Sequence, residues 1–213
     1  INSARVSFGK HKTDLDSKDL KLIDYLVKHR HTSTFEHNLI TFRFVVPLFI
    51  RSQHHRHRTW SYNEISRRYT DADLRFYEPS VYRTQHKSNR QASNEDAINP
   101  EIEIEVGQGQ TTGHYFGTAK KVVSAYHKDA LRLFDALLDA GVCREQARGV
   151  LPQNLYTEYY GTVNLSNLLK FIDLRTHDGA QWEIQKVAHA CLEIATECFP
   201  VTVKSYIESK ANG

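Results

Sequence analysis

Methionine is absent from all 213 residues, and the chain opens Ile1-Asn2-Ser3-Ala4-Arg5. A natural start and neighbouring residues lost upstream are therefore expected. That opening holds no apolar stretch of the kind a secretion signal needs. The longest apolar run, Phe44-Val45-Val46-Pro47-Leu48-Phe49-Ile50, is far too short to cross a bilayer. A cytoplasmic protein with no membrane partner is expected. Cysteine is scarce. Cys143, Cys191 and Cys198 make an odd set without C-x-x-C spacing, which reads as reduced thiols used for packing, not as a disulfide framework or a metal site. Cys191 and Cys198 are expected on one helix, seven apart and so on a shared face. No G-x-G-x-x-G and no Walker loop occurs, which excludes a dinucleotide bound in the Rossmann manner. Charge excess is small too: 28 Lys and Arg stand against 25 Asp and Glu, for a net +3. Basicity is local, and the domain-wide basic face of a nucleic-acid binder is missing.

What is present suits a folded globular chain. The length allows one large domain with a proper core, and 40% hydrophobic with 25% charged residues is ordinary for that class. Leu20, Ile23, Leu26 and Val27 are spaced for a helix over 17–29, with Ser17 as its cap. Phe42, Phe44 and Val46 alternate with Thr41, Arg43 and Val45, which predicts a strand over 38–46. Pro47 then opens a helix over 48–58. Residues 83–100 are polar and nearly devoid of large apolar side chains, and read as a long loop, mobile or ordered only by a ligand or another subunit. A long helix is predicted over 112–140, ended by Gly141, and a shorter one over 144–150, stopped before Pro152. A strand follows over 155–163, then helices from a Ser166 cap to Arg175 and from Ala180 to Phe199, closed by Pro200. There is no internal repeat and no linker. The fold class is α+β: a single helix-rich domain over 1–213 with a small antiparallel sheet.

One stretch concentrates chemistry: Arg56-His57-Arg58-Thr59-Trp60-Ser61-Tyr62-Asn63-Glu64-Ile65-Ser66-Arg67-Arg68-Tyr69. Four arginines face a single acid, Glu64. Guanidinium groups bind phosphate through paired hydrogen bonds and keep their charge at any neutral pH, while serine hydroxyls and helix N-terminal amides add neutral donors. Such a segment holds phosphates or lies along a nucleic acid. His54, His55 and His57 do not read as a metal site, because adjacent histidines on a helix diverge and no carboxylate completes the spacing. Ser61 and Ser66 lack the G-x-S-x-G context of a serine nucleophile. Two further clusters are candidate rims. The first is His29 to His37, where His29 and Arg30 also suit the end of a helix. The second comprises Arg148, Asn164 and Leu174 to Glu183.

Arg56 to Tyr69 matches R-H-R-x-x-S-x-N-E-x-S-x-R-Y at every defined position, and the chain resembles the flavin-dependent thymidylate synthases. The resemblance extends through Ala4-Arg5-Val6-Ser7, His29-x-His31, Phe35-Glu36-His37, Leu151-Pro152-x-Asn154, Leu174-Arg175 and Ala180-Gln181-Trp182-Glu183, which covers residues 3–200. It implies that family's fold, a homotetramer with active sites between subunits, and reductive methylation of dUMP to dTMP. Methylenetetrahydrofolate would be the carbon donor, and FAD with NADPH would serve for hydride transfer. It implies FAD contacts from His31, Ser33, Arg56, His57, Arg58, Thr59, Glu64, Asn164 and Lys170. It implies dUMP contacts from Gln53, His54, His55, Arg56, Glu64, Ile65, Ser66, Arg67, Arg68, Arg148 and Arg175. Arg175 is the implied catalytic residue, beside the uracil ring. A fixed cation there favours loss of the imide proton at N3 and makes C5 electron-rich. No metal and no nucleic acid is implied. Two positions depart from the family pattern: Ser166 stands where many members carry arginine, and Lys170 where many carry asparagine. A basic nucleic-acid- or nucleotide-binding module without catalysis, or a relative that binds nucleotide but has lost flavin, are the alternatives.

Overall fold

The first long helix begins where side chains can satisfy its free N–H groups. In the computed structural model, which describes residues 1–107 and 113–211, α1 is Asn2–Arg5 and α2 is Ser17–Lys28. The cap of α2 is Asp16 instead of the expected Ser17: the Asp16 carboxylate accepts from the N–H groups of Lys18 and Asp19, and Asp19 accepts back from the Asp16 N–H at 3.0 Å. An aspartate carries two acceptor oxygens and a charge that suits a helix N-terminus, so it outcompetes the neighbouring serine. Asp19 is 0% exposed and is paired with Arg5 and Lys12. The Lys12 hydrogen bond is the first reason its carboxyl is held well below the usual range.

The remaining elements are β1 (Leu39–Pro47), α3 (Leu48–His54), β2 (Ser61–Glu64), β3 (Tyr82–Gln85), β4 (Ser93–Ile98), β5 (Glu101–Val106), β6 (Gly113–Thr118), α4 (Ala119–Asp139), α5 (Arg144–Ala147), β7 (Tyr156–Asn164), α6 (Leu165–Arg175), α7 (Trp182–Cys198) and α8 (Pro200–Ala211). Three small sheets result, ordered β1-β7-β2, β3-β4 and β5-β6, the last two antiparallel. The mixed helix-and-strand class is as expected. The chain divides into two units, one of Ile1–Phe42, His57–Tyr62 and Tyr160–Gly213, the other of Arg43–Arg56 and Asn63–Tyr159.

In the first unit, α2 packs on α8 and α6 on α7. Leu165, Leu168, Phe171 and Ile172 of α6 are buried together with Ile184, Ala188, Cys191 and Ala195 of α7. Burial of each large apolar side chain stabilises by about 1.5–3 kcal/mol. Trp60 and Phe42 close this core, with ring centroids 6.0 Å apart. Cys191 and Cys198 both lie on α7 as expected; Cys191 is buried, and Cys198, the last residue of the helix, is exposed. Pro200 does not only close α7: it starts α8, because proline is tolerated in a first helical turn. The side-chain cap of α6 is Asn164, which accepts from the Asn167 N–H at 2.9 Å, and not Ser166.

In the second unit, Phe44 and Val46 of β1 and Ile50 of α3 are buried, and the Phe44 ring stacks on Tyr159 of β7 with centroids 5.0 Å apart. Helix α3 stops at His54, four residues before the expected end. Residues 83–100 hold a hairpin, not a loop. Its order comes from side chains: the Gln85 amide donates to the carbonyls of His86, Asn89 and Ala92, and Asn94 donates to Thr84. Polar capping of a tight hairpin needs no apolar core, which is why hydropathy missed it. Helix α4 starts at Ala119, because β6 takes the residues before it; the expected start at Thr112 lies outside the described residues. It ends as expected: Gly141 adopts φ +87, and the N–H groups of Gly141 and Val142 return to Leu138 and Leu137. Among the described residues no helix is long and apolar enough to cross a membrane.

Candidate functional site

The signature divides between the two units. Arg56 and Asn63 to Tyr69 belong to the second, His57 to Tyr62 to the first. In the second unit, α3 brings Arg51 to Glu64 of β2, with Nε 3.2 Å from the carboxylate. The Thr157 hydroxyl of β7 donates to the same oxygen at 2.6 Å. One Glu64 oxygen is thus fixed from two sides, and the carboxylate stays an acceptor in a set position. His54 is 0% exposed; its Nδ1 lies 2.8 Å from the Tyr159 hydroxyl, and His55 meets that ring edge-on at 5.0 Å. Burial, then the charge of Arg51 against the opposing pull of Glu64, leaves the His55 pKa below its ordinary value. Gln53 is half-buried on α3, and Arg56 is exposed just after it.

Beyond β2 the chain turns sharply. Ser66 makes that turn: its hydroxyl accepts from the Arg68 N–H, and its carbonyl from the N–H groups of Tyr69 and Thr70. Ile65 is exposed, with its N–H on the Glu158 carbonyl. Arg67 turns inward, donating to the carbonyls of Ala72 at 2.6 Å and Tyr156 at 3.3 Å. Burial lowers its pKa. Arg68 lies 3.4 Å from Glu145 and near the Tyr69 ring. Arg148 is exposed at the end of α5, donating to the Glu145 carbonyl. Arg67 and Arg68 thus have partners within the chain.

In the first unit, Arg175 ends α6 and donates from Nε to His57 Nε2 at 3.0 Å. The His57 ring stands edge-on to Phe171, 4.9 Å away. Burial, with the Arg175 charge second, lowers its pKa to about 4. At neutral pH the imidazole is therefore uncharged and can accept from Arg175, which fixes its tautomer and the guanidinium plane together. Tyr62 donates to the His57 carbonyl at 3.1 Å. Arg58 and Thr59 are exposed between these anchors. His31 follows a strained turn: Arg30 has φ +55, and the N–H of His31 returns to Leu26. Ser33 is exposed in the short 3-10 turn Thr32–Phe35, which the Ser3 hydroxyl holds by the Thr34 carbonyl at 3.0 Å. Asn164 caps α6, and Lys170 is exposed in the middle of the same helix.

The residue reading missed Arg51, Thr157, Tyr159 and Phe171. Thr157 and Tyr159 were accessible to it, because they fall on the same inward row of a strand that was correctly placed. Arg51 carried no signal of its own. Among the described residues no group of three His, Cys, Asp or Glu side chains is placed to hold a metal.

The model of the thymidylate synthase complementing protein family matches residues 1–201. The chain belongs to that family. A flavin-dependent thymidylate synthase of Thermus thermophilus is 40% identical over 213 residues, covering 100% of this chain and 72% of the relative. One of Thermotoga neapolitana is 38% identical, covering 100% and 87%. Among solved structures, a UMP/dUMP methylase PolB of Streptomyces cacaoi, bound with 5-Br dUMP, superimposes with a TM-score of 0.75. It has 30% sequence identity over 97% of this chain and 88% of its own.

Proposed function

We propose that this chain methylates dUMP to dTMP, with methylenetetrahydrofolate as carbon donor and NADPH as reductant acting through FAD. The observation that carries the proposal is Arg175 held by an uncharged His57. A cation fixed in this way, partly shielded from water, stabilises a uracil ring that has given up its N3 proton. The ring's C5 then becomes the nucleophile, and no cysteine is required. Neutrality of His57 matters: a protonated imidazole would repel Arg175 and release it. Flavin, when bound and once reduced by NADPH, would supply the hydride that takes the transferred carbon to a methyl group.

The residues present suit both ligands. Ser166 is 4% exposed, and its hydroxyl has no hydrogen-bond partner among the described residues. It lies in the first turn of α6, where N–H groups await an acceptor. A flavin phosphate would satisfy this end, with Arg56, His57, Arg58 and Thr59, the exposed Lys170, Asn164, and the His31–Ser33 turn as its other contacts. Lys170 then provides a cation on the same helix that has serine at 166. For dUMP, Glu64 accepts from the ribose while Arg56, Arg68 and Arg148 meet the phosphate, with Gln53, His54, His55, Ile65, Ser66 and Arg67 forming the surrounding wall. We also propose that the whole chain works as one domain, in the cytoplasm, as a homotetramer with active sites formed between subunits, and without a nucleic-acid or membrane partner.

The test is the absorbance spectrum of the purified protein titrated with dUMP. Bound oxidised flavin that shifts saturably on dUMP addition is expected. A protein that binds dUMP but takes up no flavin would favour the cofactor-free relative instead.

A further inference from the structure

Helix α4 and strand β6 wall an open cleft of about 430 Å³ that contains no residue of the signature. Lys121, Lys128 and Arg132 line it from the helix, His114 and Tyr115 from the strand, and Asp129 lies among them. The helix positions follow at i, i+7 and i+11, which is one face, with axial steps of about 10 and 6 Å. We propose that this cleft binds a small oligoanion, a molecule carrying several phosphate or carboxylate groups along a short chain.

Charge bookkeeping inside the cleft supports an anion from outside. Its single carboxylate, Asp129, already accepts from the Tyr115 hydroxyl and from Arg132 at 2.9 Å. His114 lies 3.0 Å from Glu103. Lys121 and Lys128 have no ion-pair partner among the described residues, and residues 106–128 of the sequence include no Asp or Glu at all. Lys128 and Arg132 are like-charged neighbours at i,i+4, and Asp129 offsets that repulsion only through its pair with Arg132. The cleft between α4 and β6 thus holds two ammonium groups, Lys121 and Lys128, with no ion pair among the described residues. Lys121 is also steered. Its stem runs over Gly117, where a Cβ would stand 3.7 Å from Lys121 Cδ and where φ is +135. A single phosphate would engage one cation. The axial spread of the cations suits a ligand with charges several ångströms apart.

The test is calorimetric titration of the full chain with tripolyphosphate and, separately, with triglutamate, at two salt concentrations. The parent is expected to bind at least one of them saturably, and more weakly as salt rises. Lys121→Glu/Lys128→Glu should weaken that binding at least about tenfold, whereas Lys121→Arg/Lys128→Arg should keep it within about twofold because the charge is preserved. Comparing the variants with the parent separates this cleft from the arginines of the signature. Binding of tripolyphosphate alone assigns a phosphorylated ligand, and binding of triglutamate alone a polycarboxylate. Failure of both, or equal affinity in the parent and the double-glutamate variant, overturns the proposal.

Discussion

His57 and Arg175 explain each other. The guanidinium keeps its charge under any physiological condition. The imidazole is held neutral, and a donor–acceptor bond of 3.0 Å joins them. Removing the guanidinium should therefore remove the cation without emptying the flavin site. Arg175→Ala is expected to lower turnover by about 10²-fold or more while the protein stays yellow, as steady-state rates and the flavin spectrum will show. Loss of flavin in that variant would move Arg175 to the cofactor. His57 also sets a pH dependence. Its folded pKa of about 4 lies below the ordinary 6.5, so the unfolded chain binds the proton first as pH falls. The His57 contribution to stability is complete above pH 6.5, declines between 6.5 and about 4, and levels off below that. Urea denaturation midpoints across this range should fall more steeply in the parent than in His57→Gln.

At the scale of elements, the end of α2 departs from the local rule for helix ends. Its C-terminal motif returns two N–H groups to the last turn, a geometry that favours glycine at the left-handed position, yet Arg30 occupies it with φ +55. Arg30→Gly should raise stability by about 1 kcal/mol in chemical denaturation, and an unchanged or lowered midpoint would show that Arg30 makes contacts that outweigh its strain. The elements also show what periodicity can and cannot reveal. The inward row of β1 and the glycine that ends α4 were legible, because each rests on one local rule. The caps of α2 and α6 were displaced from serine to the acceptors Asp16 and Asn164, a choice made by side-chain geometry. The β3-β4 hairpin is built on amide-to-carbonyl bonds from Gln85, which no hydropathy pattern records. The β5 strand was readable, because Ile102, Ile104 and Val106 alternate with Glu101, Glu103 and Glu105.

For the molecule as a whole, the arginine-rich signature identified the family, but it did not reveal how its side chains divide. Arg67 points into the backbone and Arg68 toward Glu145, while Arg56 and Arg58 stay exposed. Sequence spacing makes these four arginines equivalent, and only tertiary packing distinguishes them. The same holds for Glu64, whose orientation depends on Arg51 and on Thr157, ninety-three residues away. A net charge of +3 with this much internal pairing fits a protein that binds small anions at defined points. The most direct measurement is release of tritium from 5-tritiated dUMP by the purified protein supplied with FAD, NADPH and methylenetetrahydrofolate. Methylation at C5 predicts tritium release that requires NADPH and methylenetetrahydrofolate and is lost in Arg175→Ala. A flavin-loaded protein that binds dUMP and releases no tritium under these conditions would contradict it.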